Sequence, residues 1–311
     1  MTKTLFDLAE LYLEHLRMLK MSPLTLRGNK YRLKAFLRWL ETEKLVQTAD
    51  QIQKSHLDGW LARLNTRFTY HGLPMKPQAV NTMLGSVRTF LQYLAERGYV
   101  MQSLVNVLHY VKIPKLLPGS VLTHAQARKL LSRVDSDSPE GYRNKTMLEL
   151  LYSSGLRAAE LLNINISDVD FAGAMATVIG KGNKQRIVPV GRTALRCLET
   201  YLKAVRPYLL KDKNETALFL GKDGKRFTYP HLSELTRRYA VKAKLDINVT
   251  AHTFRRSCAT ELLRAGANMY HVKDLLGHES LDTLKHYAKL TITDLKKTHE
   301  KCHPRERDDQ P

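Results

Sequence analysis

Within residues 252–287 the chain carries His252-Thr-Phe-Arg255, then Leu275-Leu-Gly-His278, then Tyr287. Two imidazoles, a guanidinium and a phenol in one short segment are the groups that a metal-free phosphodiester transesterification needs. Arginine holds phosphate oxygens in charge-assisted pairs, histidines accept or share protons, and a tyrosine hydroxyl can be the attacking nucleophile. Each also has a plainer reading. A lone histidine is commonly a hydrogen-bonded structural residue, and Tyr287 is one of 14 tyrosines, most of which serve packing.

Two further groups lie upstream. In Gly155-Leu-Arg157-Ala-Ala-Glu160-Leu the glycine permits a backbone break, after which Arg157 and Glu160 share a helix face at i,i+3. That pair reads either as a surface ion pair or as a phosphate-facing arginine oriented by its carboxylate. Lys181 opens Gly180-Lys-Gly-Asn-Lys-Gln185. A phosphate-binding P-loop is excluded there, because that motif needs Ser or Thr after its lysine and then a helix. The lysines either solvate a hairpin tip or project an ammonium that can protonate a leaving oxygen, which an always-charged guanidinium cannot do.

Composition narrows the partner. Lys and Arg total 50 against 30 Asp and Glu, a formal charge of +20 with an isoelectric point near 9.8, which favours a polyanion. Three scattered cysteines, Cys197, Cys258 and Cys302, argue against a disulfide framework or a zinc site and for a reducing cytoplasm. Acidic residues interrupt the N-terminal stretch too early for a signal segment, and no apolar run approaches the roughly 20 residues of a membrane span. The expectation is a cytoplasmic protein with no membrane partner.

The elements that must position these groups are mainly helices. Leu5, Leu8, Leu11, Tyr12 and Leu16 recur at helical spacing, and Ser22-Pro23 is a cap signal opening a helix over 24–45. On that helix Tyr31, Leu33, Phe36, Leu37 and Leu40 are assigned to the apolar side, with basic residues on the rest. Further helices are expected over 52–64 and 77–97. Prolines and a glycine in 113–120 mark a linker, after which Thr123 caps a new helix. Residues 143–153 read as helix broken at Gly155, and 176–179 and 186–190 as a β-hairpin. Helices resume over 191–209, 230–244, 253–265 and 269–276. The fold class is α+β: mainly α, with a small β-sheet in the C-terminal domain. The division is 1–112 as a helical DNA-binding domain, 113–120 as linker, 121–300 as a catalytic domain and 301–311 as a polar tail.

Taken in order, Gly155-Leu-Arg157-x-x-Glu160-Leu, Gly180-Lys181-Gly-Asn-Lys-x-Arg186, His252-x-x-Arg255, Leu275-Leu-Gly277-His278 and Tyr287 resemble the tyrosine site-specific recombinases, the phage-integrase and Xer-type family. The resemblance spans essentially the whole chain, with the N-terminal helices and Ser22-Pro-x-Thr25 similar to that family's SAM-like core-binding domain. Departures are Arg256 where Xer proteins usually carry histidine, Ser154 for a common threonine, and Leu284 where a second threonine is frequent. None removes a catalytic group.

The resemblance implies a C-shaped clamp on duplex DNA and a 3′-phosphotyrosine intermediate leading to a Holliday junction. Tyr287 is then the nucleophile and Arg157 and Arg255 the phosphate clamp. Lys181 is the general acid, His252 the proton acceptor, His278 a phosphate donor and Glu160 a support. No cofactor and no metal are implied. The implied partners are inverted DNA half-sites, a second copy on each site and a tetramer in synapsis. There is room for an accessory DNA-bending or directionality factor, and the setting is integration, excision or resolution of a mobile element. A type IB topoisomerase and a catalytically idle DNA-binding protein are the competing readings.

Overall fold

The computed structural model describes residues 3–67, 69, 72–114, 121–180 and 184–277. The chain forms two compact units, Met1–Lys115 and Leu116–Pro311. Among the described residues no helix is long and apolar enough to cross a membrane.

Unit one is helical. Helix α1, Leu5–Met18, starts in a capping box: the Thr4 hydroxyl accepts the Asp7 N–H while the Asp7 carboxylate accepts the Thr4 N–H. Helix α2, Pro23–Lys44, starts at the Ser22 cap with proline in its first turn. Helices α3, Lys54–Thr66, α4, Pro77–Ala95, and the short α5, Gln102–Val105, complete the unit. Phe36, Trp39 and Trp60 cluster at its centre, and Leu8, Leu33, Leu40, Leu84 and Phe90 close around them. Tyr31 corrects the expected apolar face, because it is 66% exposed. It lies two positions from Leu33, about 200° around a helix and hence on the opposite side.

Unit two mixes helices with one small sheet. Helix α6, His124–Ser132, has Thr123 and Gln126 in a capping box. Helix α7, Pro139–Ser154, begins earlier than expected, because Ser138-Pro139 repeats the cap signal of Ser22-Pro23. A break at Gly155 leads into α8, Ala158–Asn163. Strands β1, Val169–Asp170, β2, Met175–Ile179, and β3, Gln185–Pro189, form an antiparallel sheet in the order β1-β2-β3. The expected hairpin is β2–β3, registered from Met175↔Pro189 to Ile179↔Gln185 and closed by the Gly180 N–H donating to Lys184 O at 2.8 Å. Strand β1 was not anticipated, since two residues are too few to show alternation.

Helix α9, Arg192–Thr200, passes through a π-helical turn at Tyr201–Val205 into α10, Arg206–Leu209. Helix α11, Tyr229–Lys242, precedes α12, Ala251–Arg264, and α13, Met269–Leu276. The core runs through α7, whose Met147, Leu148, Leu150 and Leu151 are fully buried, and includes Val178, Val188, Phe219 and Phe254. Helix α7 packs on α9 and α12, and α13 on α12 and β3. Those contacts bring the motifs together.

Candidate active site

The break after α7 is built by Gly155, whose φ of +60° is the left-handed conformation that glycine adopts without strain. Space demands glycine as well. A Cβ there would lie 2.7 Å from Leu276 Cδ2 and 3.3 Å from Cys258 Sγ. The preceding Ser154 is buried and its hydroxyl donates to Pro189 O at 2.8 Å, tying the end of α7 to β3. Helix α12 is fixed by the Thr250 cap and by Ser257, whose Oγ accepts the Leu122 N–H and donates to Thr253 O.

Arg157 is not on the α8 face beside Glu160, as the spacing suggested, but is the residue that precedes the helix. Its own N–H donates to Glu160 Oε2 at 2.7 Å, and its Nη1 donates to Glu160 Oε1 at 2.8 Å. The surface-pair reading fails, because Glu160 is buried. Arg186 on β3 donates to the same carboxylate, Nη1 to Oε1 at 2.5 Å and Nη2 to Oε2 at 2.8 Å. Burial alone would raise the Glu160 pKa. The Arg186 hydrogen bonds and those from Arg157 outweigh it and bring it down to about 2. The carboxylate is therefore a fixed anion at any physiological pH.

The C-terminal end of α13 meets three guanidinium groups. Arg186 Nε donates to Leu275 O at 3.0 Å, Arg255 Nη2 donates to Leu276 O, and Arg157 Nη2 donates to Gly277 O at 2.6 Å. The last carbonyls of a helix have no partner within it and carry its negative dipole end, so cations satisfy them. Arg255 also donates Nη1 to Gly155 O at 2.8 Å. Arg157 and Arg255 thus converge on one short stretch of backbone, although one precedes α8 and the other lies within α12.

Helix α12 begins at Ala251 rather than near Thr253, which places His252 in its first turn. His252 is exposed, while Arg255 is buried, so the two do not share one environment. Partial desolvation and the nearby Arg256, Arg255 and Arg157 all push the His252 pKa below the usual imidazole value. A neutral ring beside three cations is suited to accepting a proton.

The structure brings Arg157, Glu160, His252 and Arg255 together; Lys181, His278 and Tyr287 lie outside the described residues, as do the terminal stretch and tail. Gly180, which precedes Lys181, and Gly277, which precedes His278, both border the cluster: Gly180 faces Glu160 and Arg186, and Gly277 faces Arg186. Sequence reasoning gave Arg186 no role of its own. Its signal was a charge on the same side of a strand as buried Val188. Among the described residues, no group of three or more His, Cys, Asp or Glu side chains could hold a metal ion.

Residues 120–293 match the Phage integrase family, and residues 9–98 match the Phage integrase, N-terminal SAM-like domain. The tyrosine recombinase XerD of Staphylococcus epidermidis is 32% identical over 283 residues, 90% of this chain and 92% of the relative. The tyrosine recombinase XerD of Staphylococcus saprophyticus is 31% identical, covering 95% of this chain and 98% of the relative. Among solved structures, the Tn1549 transposon integrase in complex with a circular intermediate DNA is similar at a TM-score of 0.71 and 19% identity, over 94% of this chain and 98% of that one. XerH bound to a palindromic difH substrate gives 0.71 and 20%, over 94% and 83%. A lambda integrase dimer bound to a core site gives 0.69 and 16%, over 92% and 95%.

Proposed function

The chain belongs to the phage integrase family of tyrosine site-specific recombinases, and from that premise we propose how its residues divide the work. Tyr287 attacks the scissile phosphorus and its proton passes to His252. The bond to the 5′-oxygen breaks, Lys181 protonates that oxygen, and a 3′-phosphotyrosine forms. Arg157 and Arg255 hold the non-bridging oxygens, with His278 as a further donor and Glu160 as the support of Arg157. The 5′-hydroxyl of a partner strand then reverses the step through a Holliday junction, because the phosphotyrosine keeps the bond energy. Charge-assisted hydrogen bonds to phosphate contribute about 1.5–3 kcal/mol each in ordinary settings and more where water is excluded. The scheme uses no metal or cofactor.

One observation carries this reading. Arg157 and Arg255, far apart in sequence, point their guanidinium groups at the backbone that leads directly into His278.

The substrate is duplex DNA, which the charge of +20 favours and which the DNA-bound relatives support. The division is a helical DNA-binding domain over 1–112, a linker over 113–120, a catalytic domain over 121–300 and a polar tail over 301–311. Both domains bind one half-site, a second copy takes the inverted half-site, and a tetramer synapses two sites in the cytoplasm. The palindromic substrate of XerH and the dimer of lambda integrase support the pairing. An accessory bending or directionality factor fits the same scheme.

A nicked suicide duplex tests the chemistry. The wild-type chain is expected to trap a covalent protein–DNA adduct and Tyr287→Phe to trap none; no adduct from wild type, or one from the variant, rejects the assignment. Affinity should also fall by about 0.9 log units per log unit of salt for each phosphate neutralised.

A further inference from the structure

We propose that Arg186 is a positioning residue for strand cleavage: by bridging Glu160 and the carbonyl of Leu275 it locks the Arg157 guanidinium and the C-terminal end of α13 into one frame. The inference rests on the reading of Arg157 and Tyr287 given above and goes beyond it, because Arg186 touches no reacting atom in that scheme.

Three features of the geometry support it. First, Arg186 uses all three of its guanidinium nitrogens, two on one carboxylate and one on a backbone carbonyl from a different element. Its side chain is only 13% exposed and that of Glu160 1%, against 35% for Arg157. The partly exposed arginine is thus held by a carboxylate that is itself held from behind. Second, Glu160 has four hydrogen bonds, and removing Arg186 leaves only the two from Arg157. The carboxylate would then be held from the Arg157 side alone, and Nη1 of Arg157 would lose its fixed partner position.

Third, the chain crosses Arg186 at contact distance. A Cβ on Gly277 would lie 3.0 Å from Arg186 Cδ, and one on Gly180 would lie 3.5 Å from both Arg186 Nη1 and Glu160 Oε1. The side chain therefore sits where β2, α8 and α13 meet. A lysine would retain the charge but not the planar fork that spans two carboxylate oxygens while a third N–H points elsewhere.

The test is single-turnover cleavage of the nicked suicide duplex, with duplex affinity measured alongside. Wild type and Tyr287→Phe first establish that the adduct is the expected one. If wild type forms none or Tyr287→Phe forms one, the underlying assignment falls, and that result is separate from any result on Arg186. Given a sound assignment, Arg186→Ala and Arg186→Lys are each expected to slow adduct formation about 100-fold, the scale of a 1 Å misplacement at a reacting centre. Final adduct yield and duplex affinity should be unchanged.

Arg186→Ala added to Arg157→Lys should slow cleavage by clearly less than the product of the two single losses, because the residue acts in part through Arg157. Three results would overturn the proposal: a wild-type rate constant with reduced yield, which is the mark of a partly unfolded sample; full activity in Arg186→Lys; or losses that multiply in the double variant. Where Arg186→Ala does not fold, Arg186→Lys keeps the charge opposite Glu160, and its rate and double variant decide the question.

Discussion

Two Arg–Glu pairs in unit two have the same sequence separation and opposite meanings. Arg157–Glu160 and Arg237–Glu234 are both i,i+3 pairs, each with an Nη–Oε1 distance of 2.8 Å. In the second pair both side chains face water, at 65% and 57% exposure. In the first the carboxylate is buried and shared with a second arginine. Spacing and bond length alone do not distinguish them. What separates them is that Arg157 and Arg186 on β3 close around Glu160, whereas Glu234 faces water. Water screens an exposed pair to little net effect, whereas a buried carboxylate depends on every partner it has.

The largest break in this comparison should come from Arg186→Ala measured for stability. Removing Arg186 takes two of the four hydrogen bonds from a buried carboxylate, and denaturant unfolding is expected to show a loss of about 3–5 kcal/mol. A loss under about 1 kcal/mol, the range of exposed pairs, would place the two pairs in the same class.

Acid titration should show an effect nearly as large. The Glu160 pKa is depressed from 4.5 to about 2 in the folded chain. Its contribution is therefore complete above pH 4.5 and lost as pH falls through the folded value near 2. At about 1.4 kcal/mol per pH unit this amounts to roughly 3 kcal/mol. Comparing wild type with Glu160→Gln from pH 6 to pH 2 should show the gap in unfolding free energy closing in that window. A gap independent of pH would remove Glu160 as the titrating group.

A smaller effect is expected at His252. Its pKa is lowered first by desolvation and then by Arg256, Arg255 and Arg157. The acid limb of single-turnover cleavage should thus lie below the usual imidazole range. Arg256→Gln removes one of those cations and should move the limb to higher pH, with the plateau rate retained; an unmoved limb would detach Arg256 from the titration. The smallest change should be Arg237→Ala, with stability altered by under about 1 kcal/mol and cleavage unaffected. Any cleavage defect there would mean that the exposed pair is not the passive control described here.

Much of this organisation is legible locally. Ser22-Pro23 and Thr123 announce their helices through side chains that cap backbone donors within three residues. The hairpin is visible because β-branched runs flank a Gly-Lys-Gly turn. The site was legible as an ordered set of chemically apt residues, Arg157, Glu160, His252 and Arg255. It was not legible that His252 stays exposed while Arg255 is buried, because both follow from where α12 starts and what packs on it. Nor was Arg186, whose partners lie 26 and 89 positions away.

By itself the amino-acid order determined which residues could do chemistry and which short elements would carry them, since caps, turns and periodicity act over a few neighbouring positions. Only the tertiary structure decided that Glu160 is a buried anion held by two arginines, and that Arg157 and Arg255 turn toward the carbonyls of Gly277 and Leu276 from 120 and 21 positions away. The reason is physical. The end of a helix leaves carbonyls that its own sequence cannot satisfy, and packing of α12 and β3 against α13 selects the cations that reach them.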